Sequence, residues 1–516
     1  MKIIFKTARS VTIELSNNSC YYALDKYQVY LNNSLVINSG DKNVFSLYDL
    51  TPGTTYNIKL TKIDSSLNKY LKFTTKKEPC CLNIKDFKAV GDGIADDTNA
   101  IVSAINVAPK DSTIIIPAGT YKIAPIWLKS HLNIYLEKGA TILGETDRLH
   151  YPILPAQVKT AHKLWETNSW EGSPQATFVS LISGFRIKKV AIYGQGIIDE
   201  NAQNSDWWLN HKEIRGAARP KGIFLSHCQD ISLQGITITN TPSWNIHPFF
   251  SSKINLINIQ LINPKNSPNT DGFDPESCHN IKVIGVYFSV GDDCIAIKSG
   301  KFAMGMKYKT PTSKMVIRNC YMRDGHGAVV LGSEMSGGIK NLTITKCLFE
   351  NTDRGLRIKT RRGRGKTGII NNITFDNIVM KNVLTPFVIN MFYFCDDDGK
   401  TPYVWSKDSL PVDERTPYLG HFTFKNIICQ GVSVAAGFFY GLPERKIASI
   451  TLKNIQVTYA KNPLPFAAAM MSFLEPFTLH GFEFRNVLVV KQKNLTIEKT
   501  KEQTFIYEGV KKVVNG

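Results

Sequence analysis

From residue 190 onward the chain repeats a six-residue phrase: apolar, variable, apolar, variable, then Asn, Gly or Lys, then apolar. It reads ISLQGI from Ile231, INLINI from Ile254, IKVIGV from Ile281, MVIRNC from Met315 and LTITKC from Leu342. ITFDNI from Ile373, FTFKNI from Phe422, ITLKNI from Ile450 and FEFRNV from Phe482 continue it, and VAIYGQ from Val190 is a looser early copy. Alternation with period two puts the apolar members of each copy on one face of a strand, toward one core. The copies are separated by roughly 23 to 49 residues, so the unit is constant and the connections vary. Unequal connections disrupt a flat sheet but become loops on a solenoid. The pattern predicts an all-β chain built as a right-handed parallel β-helix. A β-propeller would need four antiparallel strands per blade and more even spacing.

The first 78 residues follow a different rhythm. Short alternating strands are expected around Val11, Tyr27 and Tyr56, separated by turns such as Asn17-Asn18 and Asn32-Asn33. The stretch Leu50-Thr51-Pro52-Gly53-Thr54-Thr55-Tyr56 resembles the tyrosine corner of β-sandwiches, where the phenol bonds to upstream backbone. Residues 1–78 therefore resemble a fibronectin type III module, followed by a linker at 79–82 and the β-helix over 83–516. At the start of the β-helix, Asp97 or Thr98 is expected to cap a helix with Ile101, Ala104 and Ile105 on its apolar stripe. Such a helix would close the open end of the strand stack. Thr113 to Tyr121 reads as the first buried strand.

Charge narrows the partners. The formal net charge is +19 and the pI about 9.3, a balance that attracts polyanions. The basic run KTRRGRGK at 359–366 reads as a solvated loop. Nucleic acid, anionic membrane and acidic polysaccharide would all answer to that charge, and no recognition helix or aromatic-bearing sheet motif supports the first. No apolar run is long enough to span a bilayer. Lys6 and Arg9 interrupt the first apolar stretch too early for a secretory signal, which points to the cytoplasm, or outside the cell if a leader was removed. The 10 cysteines include no metal-type CxxC pair and are expected to be free thiols in a reducing compartment. No metal or other cofactor is expected.

Four polar clusters fall at one phase of the repeat: Asn269-Thr270-Asp271, Gly291-Asp292-Asp293, Gly325-His326-Gly327 and Arg357-Ile358-Lys359. Residues one coil apart stack at about 4.8 Å, so three carboxylates, an imidazole, a guanidinium and an ammonium would share one wall. Asp292 and Asp293 are neighbours and reach one cleft only where the backbone bends, which Gly291 permits. Crowded carboxylates separate in pKa, and glycosidic hydrolysis needs that separation: one carboxyl protonates the leaving oxygen while another activates water. Arg357 and Lys359 share one strand face, with Ile358 turned to the core. Together they suit a carboxylate on the substrate.

The order NTD, GDD, GHG, RIK resembles glycoside hydrolase family 28, the polygalacturonase family. FKAVGDGIADDTNAI and SEMSGG at 333–338 strengthen the resemblance, which covers about residues 83–516. It implies hydrolysis of α-1,4-linked galacturonic acid with inversion. It also implies that Asp292 is the general acid, that Asp271 and Asp293 activate water, and that His326 supports them. Arg357 and Lys359 would grip the sugar carboxylate, with Asn269 a further candidate for binding substrate. Pectate lyases share the solenoid but use calcium, and no acidic calcium cage is evident beyond the Asp cluster.

Two insertions, 144–172 and 390–420, are long enough to be functional. They are expected to wall off one end of the cleft and make a pocket for a chain terminus, an exo mode that a fibronectin type III module ahead of the domain also resembles. Trp207, Trp208, Trp244, Tyr393, Trp405 and His247 are the candidates to line that pocket. The alternatives are an endo-acting polygalacturonase or related pectin-backbone hydrolase, a lyase, and a non-catalytic solenoid that binds polysaccharide.

Overall fold

The computed structural model describes residues 1–63, 68–498, 500, 501 and 503–516. The N-terminal part is two antiparallel sheets. Lys2–Lys6, Val11–Glu14 and Val44–Leu47 form one; Ser34–Lys42, Tyr22–Leu31, Thr55–Lys62 and Asn68–Thr74, in that order, form the other. Val11, Ile13, Tyr27, Val29, Phe45 and Ile58 are among the side chains that fill the space between them. The Tyr56 phenol accepts a hydrogen bond from the Thr51 N–H at 2.9 Å.

Cys81–Asn83 is already a solenoid strand, because Cys81, Leu82 and Asn83 pair in parallel with Thr113, Ile114 and Ile115. It starts inside the segment expected as linker. The end-capping helix is Thr98–Val107, with Ala100, Ile101, Ala104 and Ile105 buried. Asp97 does not cap it through its side chain. Its carboxylate instead accepts from the Val90 and Gly91 N–H groups at 2.6 and 2.9 Å, tying down the preceding turn. The stretch expected as one strand bends at Pro117-Ala118 into two, Ser112–Ile116 and Gly119–Ile123.

The repeated phrases stack in parallel register. One column runs Leu132, Val190, Ile231, Ile254, Ile281, Met315, Leu342, Ile373, Phe422, Ile450 and Val490. Every member is at most 2% exposed. Burying each such side chain is worth about 1.5–3 kcal/mol, so the column drives the stack. The fifth position of each phrase is a corner in the left-handed region. Gly235, Asn258, Gly285, Asn319, Lys346, Asn377, Asn426 and Asn454 all have φ between 52° and 80°. Gly and Asn tolerate that conformation best, which is why they recur there.

FEFRNV departs from the expected column. Phe482 pairs with Gly437, on a second sheet, and Val490 takes the place beside Ile450. Asn486 still makes a left-handed corner, with φ 56°. A period-two phrase specifies a strand and its corner but not which sheet of the coil it joins.

The sandwich is bolted along the corner of the first ladder. Val44 packs on Ile257 and Ile284, and Tyr21 packs on Tyr321 and Leu348. Glu14, 3% exposed, accepts from Arg318 Nε at 2.5 Å, Arg318 Nη2 at 2.9 Å and Asn319 Nδ2 at 2.8 Å, and pairs with Lys2 at 3.2 Å. All 10 cysteines are unpaired, and among the described residues no helix is long and apolar enough to cross a membrane.

Candidate active site

A second ladder carries the cleft. Ile223, Ile246, Phe273 and Ile295 stack as its core column. One residue further on, Ala296 pairs with Val330, Val330 with Arg357 and Arg357 with Val388. Ile358 enters the core at 0% exposure, while Arg357 and Lys359 turn together to the cleft. Ahead of the core column, the Gly272 N–H donates to Asp293 O at 2.9 Å, stacking Asp271 and Asp293 on consecutive coils. The His326 N–H donates to Asp292 O at 3.0 Å, stacking those two in the same way. Residues 290–294 leave strand geometry, so Asp292 and Asp293 both reach the cleft. A Cβ on Gly291 would lie 2.2 Å from Ser267 O, and Gly325, at φ 144°, would place one 2.6 Å from Asp292 O. No larger residue fits at either bend.

The result is a cleft of about 320 Å³ lined by Asp271, Asp292, Asp293, His326, Arg357, Lys359, Asn269 and Tyr393, among others. One carboxylate oxygen from each of the three aspartates lies within 4.8 Å of the other two. Asp293, 1% exposed, pairs with Lys359 Nζ at 2.8 Å and Arg357 Nη1 at 3.3 Å. Burial alone would raise its pKa, but Lys359 and Arg357 outweigh that and hold it well below the usual carboxylate range. Both cations expected to grip substrate therefore also secure Asp293. Asp292 is more open, its side chain 23% exposed. His326 Nδ1 lies 3.3 Å from its Oδ1, and that hydrogen bond raises the imidazole pKa. Asn269 accepts from Arg219 Nη2 at 2.5 Å, which fixes its amide at the rim.

Asp271 is the opposite of Asp293. Burial first, then Asp274 and Asp292 beside it, hold its pKa well above the ordinary aspartate range. One ammonium serves this corner: Lys298 Nζ lies 3.2 Å from Asp274, 3.7 Å from Glu334 and 4.0 Å from Asp271. It also sits 4.7 Å from the centre of the Trp244 ring. Burial pushes Asp274 up to about 7 despite that ion pair. Sequence reasoning did not single out Lys298, Asp274 or Glu334 by position. A signal existed: Asp274 and Glu276 share a strand face by the same i, i+2 spacing as Arg357 and Lys359, and Lys298 pairs with Glu276 one coil on.

His247 does not line the cleft. It is 0% exposed, with Nε2 3.2 Å from Glu276 Oε2 and its ring edge-on to Trp244. It occupies the column of Asp274, but the insertion 144–172 covers that coil. Lys221 Nζ donates to Asn168 Oδ1 at 2.8 Å and Ser169 O at 2.9 Å, and Ser169 bonds Glu276. Trp170 then stacks on Trp244 at 5.2 Å. Of the aromatic candidates, Trp244 and Tyr393 line the cleft. Trp207 is fully buried between Tyr151 and Phe178, Trp208 donates to Thr241 O, and Trp405 lies in a separate hollow.

The profile of glycosyl hydrolases family 28 matches residues 108–463, more than half of the chain and all four motifs. The chain belongs to that family. This family 28 chain is 31% identical over 386 residues to a probable polygalacturonase of Vitis vinifera, covering 73% of this chain and 74% of the relative. It is 28% identical over 430 residues to an exo-poly-alpha-D-galacturonosidase of Dickeya chrysanthemi, covering 74% and 67%. The solved structure of the Yersinia enterocolitica family 28 exopolygalacturonase has the same fold, with TM-score 0.72 over 99% of this chain and 97% of that one at 19% identity.

Proposed function

We propose that this glycoside hydrolase cleaves α-1,4-linked galacturonate in polygalacturonate and its oligomers, one chain end at a time, from the non-reducing end. The observation that carries the reading is three cleft carboxylates set among Lys298, Arg357 and Lys359. That set supplies proton transfer together with fixed cations for an anionic sugar. Asp292, at the open side and oriented by His326, is the proton donor to the leaving oxygen. Asp271 and Asp293, stacked deeper, hold the attacking water between them. Arg357 and Lys359 face the sugar carboxylate while keeping Asp293 ionised.

Exo action is supported at both ends of the groove. Ser169 and Trp170 cover the coil of His247, as described above. On the far side Arg357 Nη2 lies 2.8 Å from Met470 Sδ, Asn390 Nδ2 donates to Met470 O at 2.9 Å, and Tyr393 bridges Met471. A polymer entering this site meets a wall beyond its last sugar. Wild-type protein on long polygalacturonate is expected to release short products from the start, with Asp292→Asn inactive. A random ladder of mid-sized oligomers at early times would remove the exo reading.

The stereochemical course depends on how a cleft carboxylate meets the anomeric carbon: activating a water that attacks it gives inversion, and attacking it directly gives retention. The family resemblance points to inversion, with the water held by two carboxylates on the same side. Proton NMR of the first-formed anomer separates the two: a β product at early times gives inversion, an α product retention.

A further inference from the structure

A cavity of about 410 Å³ lies where the sandwich meets the first ladder, away from the second ladder that carries the catalytic cleft. Its size is that of a small-ligand site, about 300–1,000 Å³. The floor is one outward column in parallel register: Thr113, Asn133, Ala191, Ser232 and Asn255. Five coils at about 4.8 Å make that floor roughly 19 Å long. Ala191 is the small member at its centre and leaves room that a larger side chain would fill. The sandwich supplies the opposite wall through Phe5, Thr7 and Ala8. The Lys76 N–H donates to Thr7 O at 2.9 Å, which holds the exit from the sandwich against that wall. Neither part of the chain encloses the cavity alone.

The polar groups here are of two kinds. Asn133 Nδ2 donates to Asp111 O and Ser112 O, both at 3.2 Å, and Asn255 Nδ2 donates to Ser232 Oγ at 3.1 Å. Those bonds use the amide donors and leave both Oδ1 atoms without a donor among the described residues. The second kind is cationic. Lys76, Lys77 and Lys189 are exposed at the rim, and none is in an ion pair among the described residues. Asp111 is engaged by His131 at 2.9 Å, so Asp230 beside Lys189 is the remaining anion of the lining and a further acceptor. Amide and carboxylate oxygens take hydroxyl donors, and ammonium groups take a carboxylate. A neutral sugar would leave the three ammonium groups unused, and inorganic phosphate would leave the amide acceptors unused.

From this pairing of hydroxyl acceptors with unpaired ammonium groups, we infer a second, non-catalytic binding site for a small sugar acid of one or two uronate residues. The choice of a uronate rests on the galacturonate reading above, because that reaction would release one. Occupancy ties the sandwich to the solenoid across the cavity. The sandwich is then half of a binding site rather than a spacer.

The test titrates digalacturonate into full-length Asp292→Asn protein by calorimetry, with Lys189→Glu and Ala191→Leu each added in that background. Lys189 is exposed and Ala191 half-buried, so unliganded melting temperatures should match the parent. The parent should show a site whose affinity falls at least about tenfold in each variant, the loss expected for one charge-assisted hydrogen bond or a filled cavity. In otherwise wild-type enzyme neither substitution should change kcat or KM on polygalacturonate. An isotherm that both substitutions leave unchanged, or one with no saturable site, would overturn the proposal. A parallel loss of cleavage would also overturn it, because the titrated site would then be the cleft. Inorganic phosphate or galactose competing as well as digalacturonate for the Lys189-dependent site would overturn the assignment to a sugar acid. If wild-type protein does not cleave polygalacturonate but the Lys189-dependent site persists, the galacturonate reading fails alone.

Discussion

Glu14 and Asp271 are both buried carboxylates beside cations, 3% and 5% exposed, and the molecule treats them in opposite ways. At the seam between sandwich and solenoid, Glu14 has four donors or cations of its own. Burial alone would raise its pKa, but the Arg318 hydrogen bonds and charge pull it below the ordinary glutamate value. In the cleft, Asp271 shares a single ammonium with Asp274 and Glu334 and stands beside two further aspartates. The seam satisfies its charge and so gains rigidity. The cleft leaves its charge under-compensated, which makes Asp271 a stronger base once ionised, the property a water-activating carboxylate needs. Stability and catalysis here differ in the ratio of partners to carboxylates rather than in residue type.

The largest effect should come from the cleft. Asp292→Asn is expected to lower reducing-sugar release by about 10³-fold or more, with the melting temperature unchanged, since the proposed mechanism then loses its proton donor. An equal loss of stability would mean that Asp292 belongs with Glu14 as a structural anion. Next comes the seam. Arg318→Ala leaves Glu14 without its bidentate partner and should cost about 3 kcal/mol, the lower end for a broken buried pair. Denaturant unfolding measures it, and activity of the folded fraction should match wild type.

A smaller, more diagnostic change is Lys298→Met. Removing the ammonium strengthens the effect of the neighbouring carboxylates on Asp271, so its pKa rises further. In the proposed mechanism Asp271 must be ionised to activate water, so the acid limb of kcat/KM should move to higher pH. A limb that stays put would show that Lys298 does not set the charge of this corner. The smallest effect concerns pH and stability. Burial raises the folded-state pKa of Glu276 to about 7. The folded state therefore holds that proton where the unfolded chain has released it, and stability falls as pH rises from the ordinary glutamate value toward 7. Glu276→Gln should flatten that decline in melting temperature. Glu14 has the opposite sign, contributing above the ordinary glutamate pKa and losing its contribution as pH falls through its lowered value.

Much of this contrast was legible before any coordinates. The six-residue phrase gives strand, face and corner because alternation and left-handed sterics are local, and φ at Asn258, Gly285 and Asn319 follows from residue type. The shared face of Arg357 and Lys359, and the common wall of Asp271, Asp292, Asp293 and His326, follow from the same short-range geometry applied to stacked coils. Tertiary structure decided the rest. It moved FEFRNV to a second sheet, buried His247 under Asn168 and Ser169, turned Arg357 and Lys359 onto Asp293, and made Lys298 the common partner of three acids. Those outcomes depend on where aperiodic insertions land and on how many charges end up sharing one buried volume. Neither quantity is carried by the spacing of residues along a strand.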